Sequence, residues 1–234
     1  LCQAKAIPVS VVSVVTTYSV QFPREIYRFF LSSGIKSFSF NPVFEPDKEG
    51  RLCDFSVRDT DFADFMGSIL ELWFEDDDPE INIRQLTEPL KGMLGGELLA
   101  CIYSGQCSRF LDIYPNGDVK PCHSFLGESV RLGNILETPL TKIIVGESYG
   151  EFQRYVQRLP QECLDCRWFS ICHGGCTDHR NLTVNGKHYE KYVYCGSRKR
   201  VFSLLEERLL ELGDFRKEVI PSFRSGKELV QLTI

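Results

Sequence analysis

Valine-rich and aromatic positions predict a strand–helix–strand unit at the start of the chain. Residues 8–16 are mainly apolar and β-branched, as expected of a strand that is buried on both faces of a sheet. A helix is predicted to open at Phe22-Pro23, because proline suits the first helical turn, and a second strand is predicted over residues 35–40. The short right-handed crossover that this order implies would make the two strands parallel.

Apolar positions three and four residues apart predict a longer helix that begins at Asp59, with Asp59 as its cap. The acidic run over residues 75–78 would end this helix, and we interpret it as a solvated terminus rather than a binding tail. Two further helices are expected nearer the carboxyl end, around residues 139–157 and 197–212.

A β-hairpin is predicted over residues 110–122, where alternating strands flank Asn116-Gly117. Cys107 and Cys122 lie at its two ends. Because a hairpin turns the chain back on itself, these two thiols are expected to meet at one site.

Composition narrows the class of protein. The 234 residues are 43% hydrophobic, with a net charge of −5 and a pI near 5.5, so nucleic acid is not an expected partner. The longest apolar stretch, residues 7–15, is interrupted by proline and serine, and it is neither a membrane span nor a secretory signal. We therefore expect a cytoplasmic protein without a membrane partner. In that reducing compartment, its ten cysteines favour metal ligation over a disulfide framework.

Eight of the cysteines form one spacing pattern. Its members are Cys101, Cys107-x9-Gly117-x4-Cys122, Cys163-x2-Cys166-x5-Cys172-x3-Cys176 and Cys195. Eight thiolates make two four-thiolate sites, the ligand set of an ordinary [4Fe–4S] cluster. Zinc is the chief competitor, because four thiolates in a tetrahedron suit it as well. Cys2 and Cys53 fall outside the pattern and are most simply buried thiols.

This spacing, together with Leu132-Gly-Asn-Ile135 and Cys172-His-Gly-Gly-Cys176, is similar to the SPASM domain. That domain is the C-terminal auxiliary-cluster module of many radical S-adenosylmethionine (SAM) enzymes. The first strands, in turn, resemble the late part of the partial TIM barrel that precedes it. The resemblance implies an α/β fold, in which the C-terminal part of a partial (β/α) barrel precedes a cysteine-rich SPASM iron–sulfur domain. The expected domains are residues 1–95, the end of the barrel with a linking helix; 96–212, the SPASM domain; and 213–234, a tail.

The resemblance also implies two auxiliary [4Fe–4S] clusters with interleaved ligands. The first would be held by Cys101, Cys107, Cys122 and Cys176; the second would be held by Cys163, Cys166, Cys172 and Cys195. One short loop carries both Cys172 and Cys176, so it would tie the two sites together. We expect the region beyond Cys101 to depend on its metal for folding.

The chain departs from the family in two places. It contains no Cys-x3-Cys-x2-Cys motif, which in the family binds the cluster that cleaves SAM. SAM and a third [4Fe–4S] cluster are therefore expected only in a complete enzyme, with several βα units before Leu1, and the chain alone is expected to be inactive. The second departure is His123, because sulfatase-maturating members have aspartate after the cysteine equivalent to Cys122. His123 is a candidate catalytic base, although a local hydrogen-bonding role is the alternative.

The resulting hypothesis is the C-terminal portion of a radical SAM/SPASM enzyme that modifies a peptide or protein by radical hydrogen abstraction. A reducing partner such as flavodoxin or ferredoxin would supply electrons. Ribosomally made peptides that acquire crosslinks are the favoured substrates, because His123 disfavours the sulfatase-maturating alternative. Other interpretations are a non-catalytic electron-transfer or peptide-docking module and a zinc-scaffold protein.

Overall fold

The computed structural model describes residues 7–122, 130–180 and 182–211. These residues form two compact units. The first unit comprises the described parts of Leu1–Leu99, Thr183–His188 and Val193–Ile234; the second comprises those of Ala100–Leu182 and Tyr189–Tyr192. The predicted boundary after residue 95 lies close to this division, whereas the last described helix groups with the first unit. The functional identity of each domain stays a prediction.

The secondary structure mixes helices and strands throughout the described residues. In chain order it comprises β1 (Ser10–Val15), α1 (Pro23–Ser32), β2 (Ser37–Pro42), α2 (Asp59–Asp76), β3 (Asn82–Ile83), α3 (Arg84–Met93), α4 (Cys101–Ser104), β4 (Asp112–Ile113), β5 (Asp118–Lys120), β6 (Gly133–Asn134), α5 (Leu140–Ile143), α6 (Glu147–Val156), α7 (Gln161–Leu164), α8 (Phe169–Cys172), β7 (Leu182–Val184), β8 (Lys187–Tyr189) and α9 (Cys195–Glu211). Within this part of the chain, no helix is long and apolar enough to cross a membrane.

The first unit is built on a parallel sheet of order β1–β2–β3, which confirms the predicted strand–helix–strand start. The prediction that both faces of β1 are buried is wrong. Val15 is fully buried, but Val12 and Val14, which lie on the opposite face of the strand, are 52% and 58% exposed. The sequence does not predict β3 or α3; two residues are too few for a period-two pattern to show.

Helix α2 begins at Asp59 as predicted and buries one apolar face, which includes Phe62 and Phe65. The role predicted for Asp59 is wrong, however, because its side chain does not cap α2. Its carboxylate instead accepts hydrogen bonds from the N–H groups of Gly196 (2.9 Å) and Ser197 (2.8 Å). Asp59 thus satisfies the first donors of α9, the helix that starts at a predicted cluster ligand.

Tyr194 anchors the chain immediately before α9. Its ring lies 5.5 Å from that of Phe62, and its hydroxyl is 2.8 Å from the Val43 carbonyl oxygen and 3.0 Å from that of Val57. Tyr194 is almost fully buried. The position of Cys195 is therefore fixed by the aromatic core on one side and by the helix on the other.

The acidic end of α2 is ion-paired. Both carboxylate oxygens of Asp76 lie 2.7 Å from the Arg28 guanidinium, and the Tyr27 hydroxyl donates to the same group at 2.9 Å. The hydrogen bond from Arg28 is the largest cause of a lowered Asp76 pKa; burial opposes it. Asp78 pairs likewise with Lys36 at 2.8 Å. The run ends α2 and its side chains are exposed or half-buried, which confirms the interpretation as a solvated terminus; the ion pairs are not predicted by the sequence.

In the second unit, β5 pairs antiparallel with both β4 and β6, which confirms the predicted hairpin. The single helix predicted over residues 139–157 is instead two helices, α5 and α6. Gly146 separates them: its N–H bonds to the Ile143 carbonyl at 3.1 Å, and its extended backbone caps α6. A small apolar core holds these elements together, formed by Val119, Leu132, Ile143, Phe152 and Val156.

Candidate metal centre

The cysteines of the spacing pattern are divided between the two units. Seven lie in the second unit, whereas Cys195 is the first residue of α9 in the first unit. All eight are half-buried, and none forms a disulfide within the described residues. Their predicted partition between two clusters stays a prediction.

Gly117, the internal glycine of the pattern, is required by two local constraints. Its φ is +86°, and a Cβ there would lie 2.6 Å from Oδ1 of Asn134. Asn134 belongs to the Leu-Gly-Asn-Ile sequence and closes the hairpin. Its Nδ2 donates to the Asn116 carbonyl at 2.9 Å and to Asp118 at 3.0 Å, while its Oδ1 accepts the Leu136 N–H at 2.8 Å. The glycine of the cysteine pattern and the Leu-Gly-Asn-Ile sequence therefore stabilise the same turn.

The hairpin brings Cys107 and Cys122 together as predicted. Both pack against the same apolar core, and the nearby Cys122 thiol contributes to the raised pKa of Cys107. Cys107 starts a single turn of 3-10 helix, which α6 holds in place through a 3.0 Å hydrogen bond from the Tyr149 hydroxyl to the Ser108 carbonyl. Two thiols that are distant in sequence therefore share one neighbourhood.

Cys163 and Cys166 lie on a tight turn at the end of α7. The Cys166 N–H donates to the Cys163 carbonyl at 3.2 Å, and the Cys166 carbonyl accepts the Phe169 N–H at 2.9 Å. The two cysteines of the Cys-x2-Cys pair therefore lie in consecutive turns of the backbone, and both thiols are half-buried.

The loop between Cys172 and Cys176 has three successive residues with positive φ: His173 at +47°, Gly174 at +79° and Gly175 at +72°. A Cβ on Gly174 would collide with Leu159 and with the Arg180 guanidinium, and one on Gly175 would lie 2.6 Å from the Tyr192 ring. The glycines therefore make room for protein side chains, in addition to permitting the left-handed backbone.

His173 connects this loop to the helix that carries Cys101. Its Nδ1 lies 2.6 Å from the Tyr103 carbonyl oxygen in α4, and α4 packs against α8. The first cysteine of the pattern and the Cys172–Cys176 loop thus belong to the same packed region of the second unit.

Residues 177–179 place hydrogen-bond donors near two of the sulfur atoms. Burial raises the pKa of the Cys176 thiol to about 11, while the backbone N–H groups of Asp178 and His179 oppose that rise. Burial likewise raises the pKa of Cys107, opposed by the hydroxyl and backbone N–H of Thr177. Such N–H and O–H donors stabilise thiolates that bind metal, and they tune iron–sulfur sites.

Arg180 completes this segment. An arginine is expected at a solvated surface by default, and Arg180 contradicts that expectation because it is only 2% exposed. Its guanidinium donates to the Val156 carbonyl and, at 3.0 Å, to Oγ1 of Thr177. Its Nε–H has no hydrogen-bond partner among the described residues. A buried cation with an orphaned donor points to a negatively charged group nearby.

The hydrogen-bond donors and the buried cation beside these thiols fit an iron–sulfur cluster. A zinc site needs its four sulfurs at about 2.3 Å from one atom. A [4Fe–4S] cluster takes one thiolate at each of four irons, so its ligands stand farther apart. The donors around Cys107 and Cys176, with the orphaned Arg180 Nε–H, match a large anionic group.

Several predicted residues add less. His123 and Cys2 lie outside the described residues, so the candidate base stays a prediction. Cys53 is half-buried, not buried as expected. Asn41 and Glu45 are both exposed; Asn41 belongs to β2, and Glu45 follows that strand. The sequence gives no sign of the donors at residues 177–180, because backbone N–H groups and burial leave no signal in residue spacing.

The comparisons with known proteins agree with the cysteine pattern. Residues 101–167 match the model of the SPASM family, described as an iron-sulfur cluster-binding domain. The cysteine-type anaerobic sulfatase-maturating enzyme of Clostridium perfringens strain 13 is 26% identical over 209 residues, which are 88% of this chain and 56% of that protein. The serine-type enzyme of Bacteroides thetaiotaomicron is 26% identical over 79% of this chain and 49% of its own length. The resemblance to radical SAM/SPASM maturases is thereby confirmed.

Solved structures support the fold. A structure titled native anSMEcpe with bound AdoMet and Cp18Cys peptide has a TM-score of 0.76 and 24% identity, covering 90% of this chain and 59% of that one. SuiB of Streptococcus suis matches with a TM-score of 0.52 and 19% identity over 79% of this chain and 45% of its own. The predicted α/β fold class is confirmed. The chain spans about half the length of the curated relatives it matches.

Proposed function

We propose that this chain, which is similar to anaerobic sulfatase-maturating enzymes over most of its length, is the C-terminal portion of a radical SAM/SPASM enzyme. The complete enzyme would modify a peptide or protein side chain by radical hydrogen abstraction in the cytoplasm. SAM and a third [4Fe–4S] cluster would bind elsewhere in it, since the Cys-x3-Cys-x2-Cys motif is not in these 234 residues. The chain alone would accordingly lack activity.

The part of the enzyme described by this sequence would bind two auxiliary [4Fe–4S] clusters. Cys101, Cys107, Cys122 and Cys176 would hold the first cluster, and Cys163, Cys166, Cys172 and Cys195 would hold the second. These clusters supply one-electron redox chemistry when bound. The protein's own contribution is to bury the thiols, donate to their sulfurs from residues 177–179, and fix the shared loop through its left-handed backbone.

The observation that carries this proposal is the cysteine spacing pattern, because residues 101–167 match an iron-sulfur cluster-binding family. The hydrogen-bond donors of Thr177, Asp178 and His179 near Cys107 and Cys176 add support, since such donors tune iron–sulfur sites. Strand β1 gives separate support, because Val12 and Val14 are exposed on one of its faces, whereas parallel sheets usually have both faces covered; the rest of a longer barrel would cover that face.

Formylglycine-forming activity on a sulfatase is the first substrate candidate, because the curated relatives include both cysteine-type and serine-type sulfatase-maturating enzymes. Crosslinking of a ribosomally made peptide is the second. His123 favours it, since it replaces the aspartate that the sulfatase-maturating pattern places there. A flavodoxin or ferredoxin would supply electrons in either case.

Anaerobic reconstitution of the 234-residue chain tests the proposal. We expect a brown protein with about eight irons per chain, from two four-iron clusters, and no bound zinc. A colourless product that retains zinc would refute the proposal and favour the zinc scaffold. Fusion of the chain to an N-terminal half that carries the Cys-x3-Cys-x2-Cys motif then separates the enzyme from an electron-transfer or docking module. Only the enzyme would modify a sulfatase-derived peptide, or a precursor peptide encoded beside it, and mass spectrometry would detect the change in peptide mass.

A further inference from the structure

Arg180 is a buried arginine whose surroundings the proposed function does not use. Its guanidinium packs against the backbone of the Cys172–Cys176 loop, so closely that a Cβ on Gly174 would lie 2.7 Å from its Nη1. Hydrogen bonds to the Val156 carbonyl and to Oγ1 of Thr177 hold it there. The side chain is thus locked beside the residues that separate two predicted ligands.

The charge on Arg180 is not balanced by a carboxylate among the described residues. Both of its hydrogen-bond acceptors there are neutral oxygen atoms, and its Nε–H has no acceptor in the same ranges. Burial lowers its pKa; the groups that oppose this effect are Cys107, Tyr155, Cys163 and Cys176. Three of these four groups are predicted cluster ligands.

A buried guanidinium is costly unless an anion compensates it. Arginine stays protonated in proteins, so it cannot escape that cost by losing its proton. A four-thiolate iron–sulfur cluster carries net negative charge, and that charge grows when the cluster accepts an electron. A fixed cation beside the thiols therefore stabilises the reduced state more than the oxidised state.

We propose that Arg180 is the fixed positive charge that raises the reduction potential of the auxiliary cluster held by Cys107 and Cys176. The inference rests on the proposed function, since it needs that cluster to form. The step it affects is the gain of one electron by the cluster from a one-electron reductant, with no bond made or broken. Arg180 touches the Thr177 hydroxyl, which itself donates to Cys107, so one contact chain joins the cation to the ligand.

The test compares reconstituted wild type with Arg180→Met and Arg180→Lys in the 234-residue chain. Iron content, visible absorbance and a redox titration monitored by electron paramagnetic resonance are measured for each. Arg180→Met removes the charge at similar volume, and we expect the reduced-to-oxidised ratio of one cluster at a fixed potential to fall at least tenfold. That change equals a shift of about 59 mV for one electron. Arg180→Lys keeps the charge and is expected to shift less.

Arg154→Met is the matched control, because Arg154 is an exposed arginine on α6 of the same unit. It should leave both potentials unchanged. Unaltered potentials in Arg180→Met, with iron content retained, would overturn the inference. If Arg180→Met loses its iron while Arg180→Lys keeps it, Arg180→Gln replaces Arg180→Met in the redox titration: a potential lower than that of wild type supports the inference, and an unchanged potential overturns it. Equal iron loss in both variants would mean a packing role and would overturn it. A wild-type chain without iron would refute the proposed function instead.

Discussion

Substitution of Gly117 by alanine tests the structural explanation of the cysteine pattern. The alanine methyl group would enter at φ +86°, 2.6 Å from Oδ1 of Asn134 and 2.8 Å from Cγ of Leu136. Asn134 cannot move freely, because it is only 8% exposed and its amide makes the hydrogen bonds that close the hairpin. We therefore expect Gly117→Ala to destabilise the second unit and weaken the position of Cys122.

The expected magnitude has two parts. A left-handed backbone costs a residue with a Cβ about 1–2 kcal/mol. Displacing Asn134 breaks at least one buried hydrogen bond, which adds about 1–3 kcal/mol. The free energy of unfolding should thus fall by about 2–5 kcal/mol. Gly186→Ala supplies the control, because Gly186 has φ +71° but nothing lies within 4 Å of the point that a Cβ would occupy, so it should cost only the backbone part.

The assay is urea-induced unfolding of the reconstituted chain, followed by circular dichroism and by absorbance of the cluster. Asn134→Ala is then added to each glycine variant. Relief of crowding should make the combination of Gly117→Ala and Asn134→Ala less destabilising than the sum of the two, by about 1–3 kcal/mol. The reasoning fails if Gly117→Ala costs no more than Gly186→Ala, or if the two substitutions near Asn134 are additive.

Three more predictions address other parts of the chain. Asp59→Ala should lower the free energy of unfolding, measured by urea denaturation, by about 0.5–2 kcal/mol, because α9 loses the acceptor of its first N–H groups. The control Asp61→Ala should cost no more than about 1 kcal/mol, and a larger loss in Asp61→Ala than in Asp59→Ala would contradict the capping role. Because the Asp76 pKa is lowered by its arginine partner, the stability advantage of wild type over Asp76→Asn should be full at neutral pH. It should shrink as the pH falls below the ordinary carboxylate pKa of about 3.9, and thermal melts that show no such convergence would refute the ion pair. Cys176→Ala should release more than about four irons, since its loop serves both proposed clusters, while Cys53→Ala should release none; equal losses would reject the ligand assignment.

Periodicity is a good guide wherever an element is long and buries one face. Helix α2 is predictable because apolar residues recur three and four positions apart, and the parallel pairing of β1 with β2 follows from the short crossover between them. The two-residue strand β3 leaves no such trace. The break between α5 and α6 escapes prediction because Gly146 lies inside an otherwise continuous helical pattern.

The sequence predicts the type of ligand at the site, but it predicts only part of what surrounds the cysteine side chains. The hairpin dipeptide indicates that Cys107 and Cys122 meet, since a tight turn needs only local sequence. Asp59 is assigned to the wrong helix because the groups that donate to it belong to a segment 137 residues away. Arg180 is misassigned for a similar reason. Arginine side chains are usually exposed in proteins, and only the tertiary packing shows that this one is buried.

The left-handed stretch at residues 173–175 limits how the cysteine motif could be transplanted into another scaffold. Its backbone conformation is supported by Leu159, Arg180 and Tyr192, which fill the space that ordinary side chains would occupy on the loop. A design that copied only the five residues from Cys172 to Cys176 would transfer the sulfur atoms without the side chains that support the loop conformation. A portable piece must therefore include Leu159, Arg180 and Tyr192, together with the α4 segment to which His173 is hydrogen-bonded.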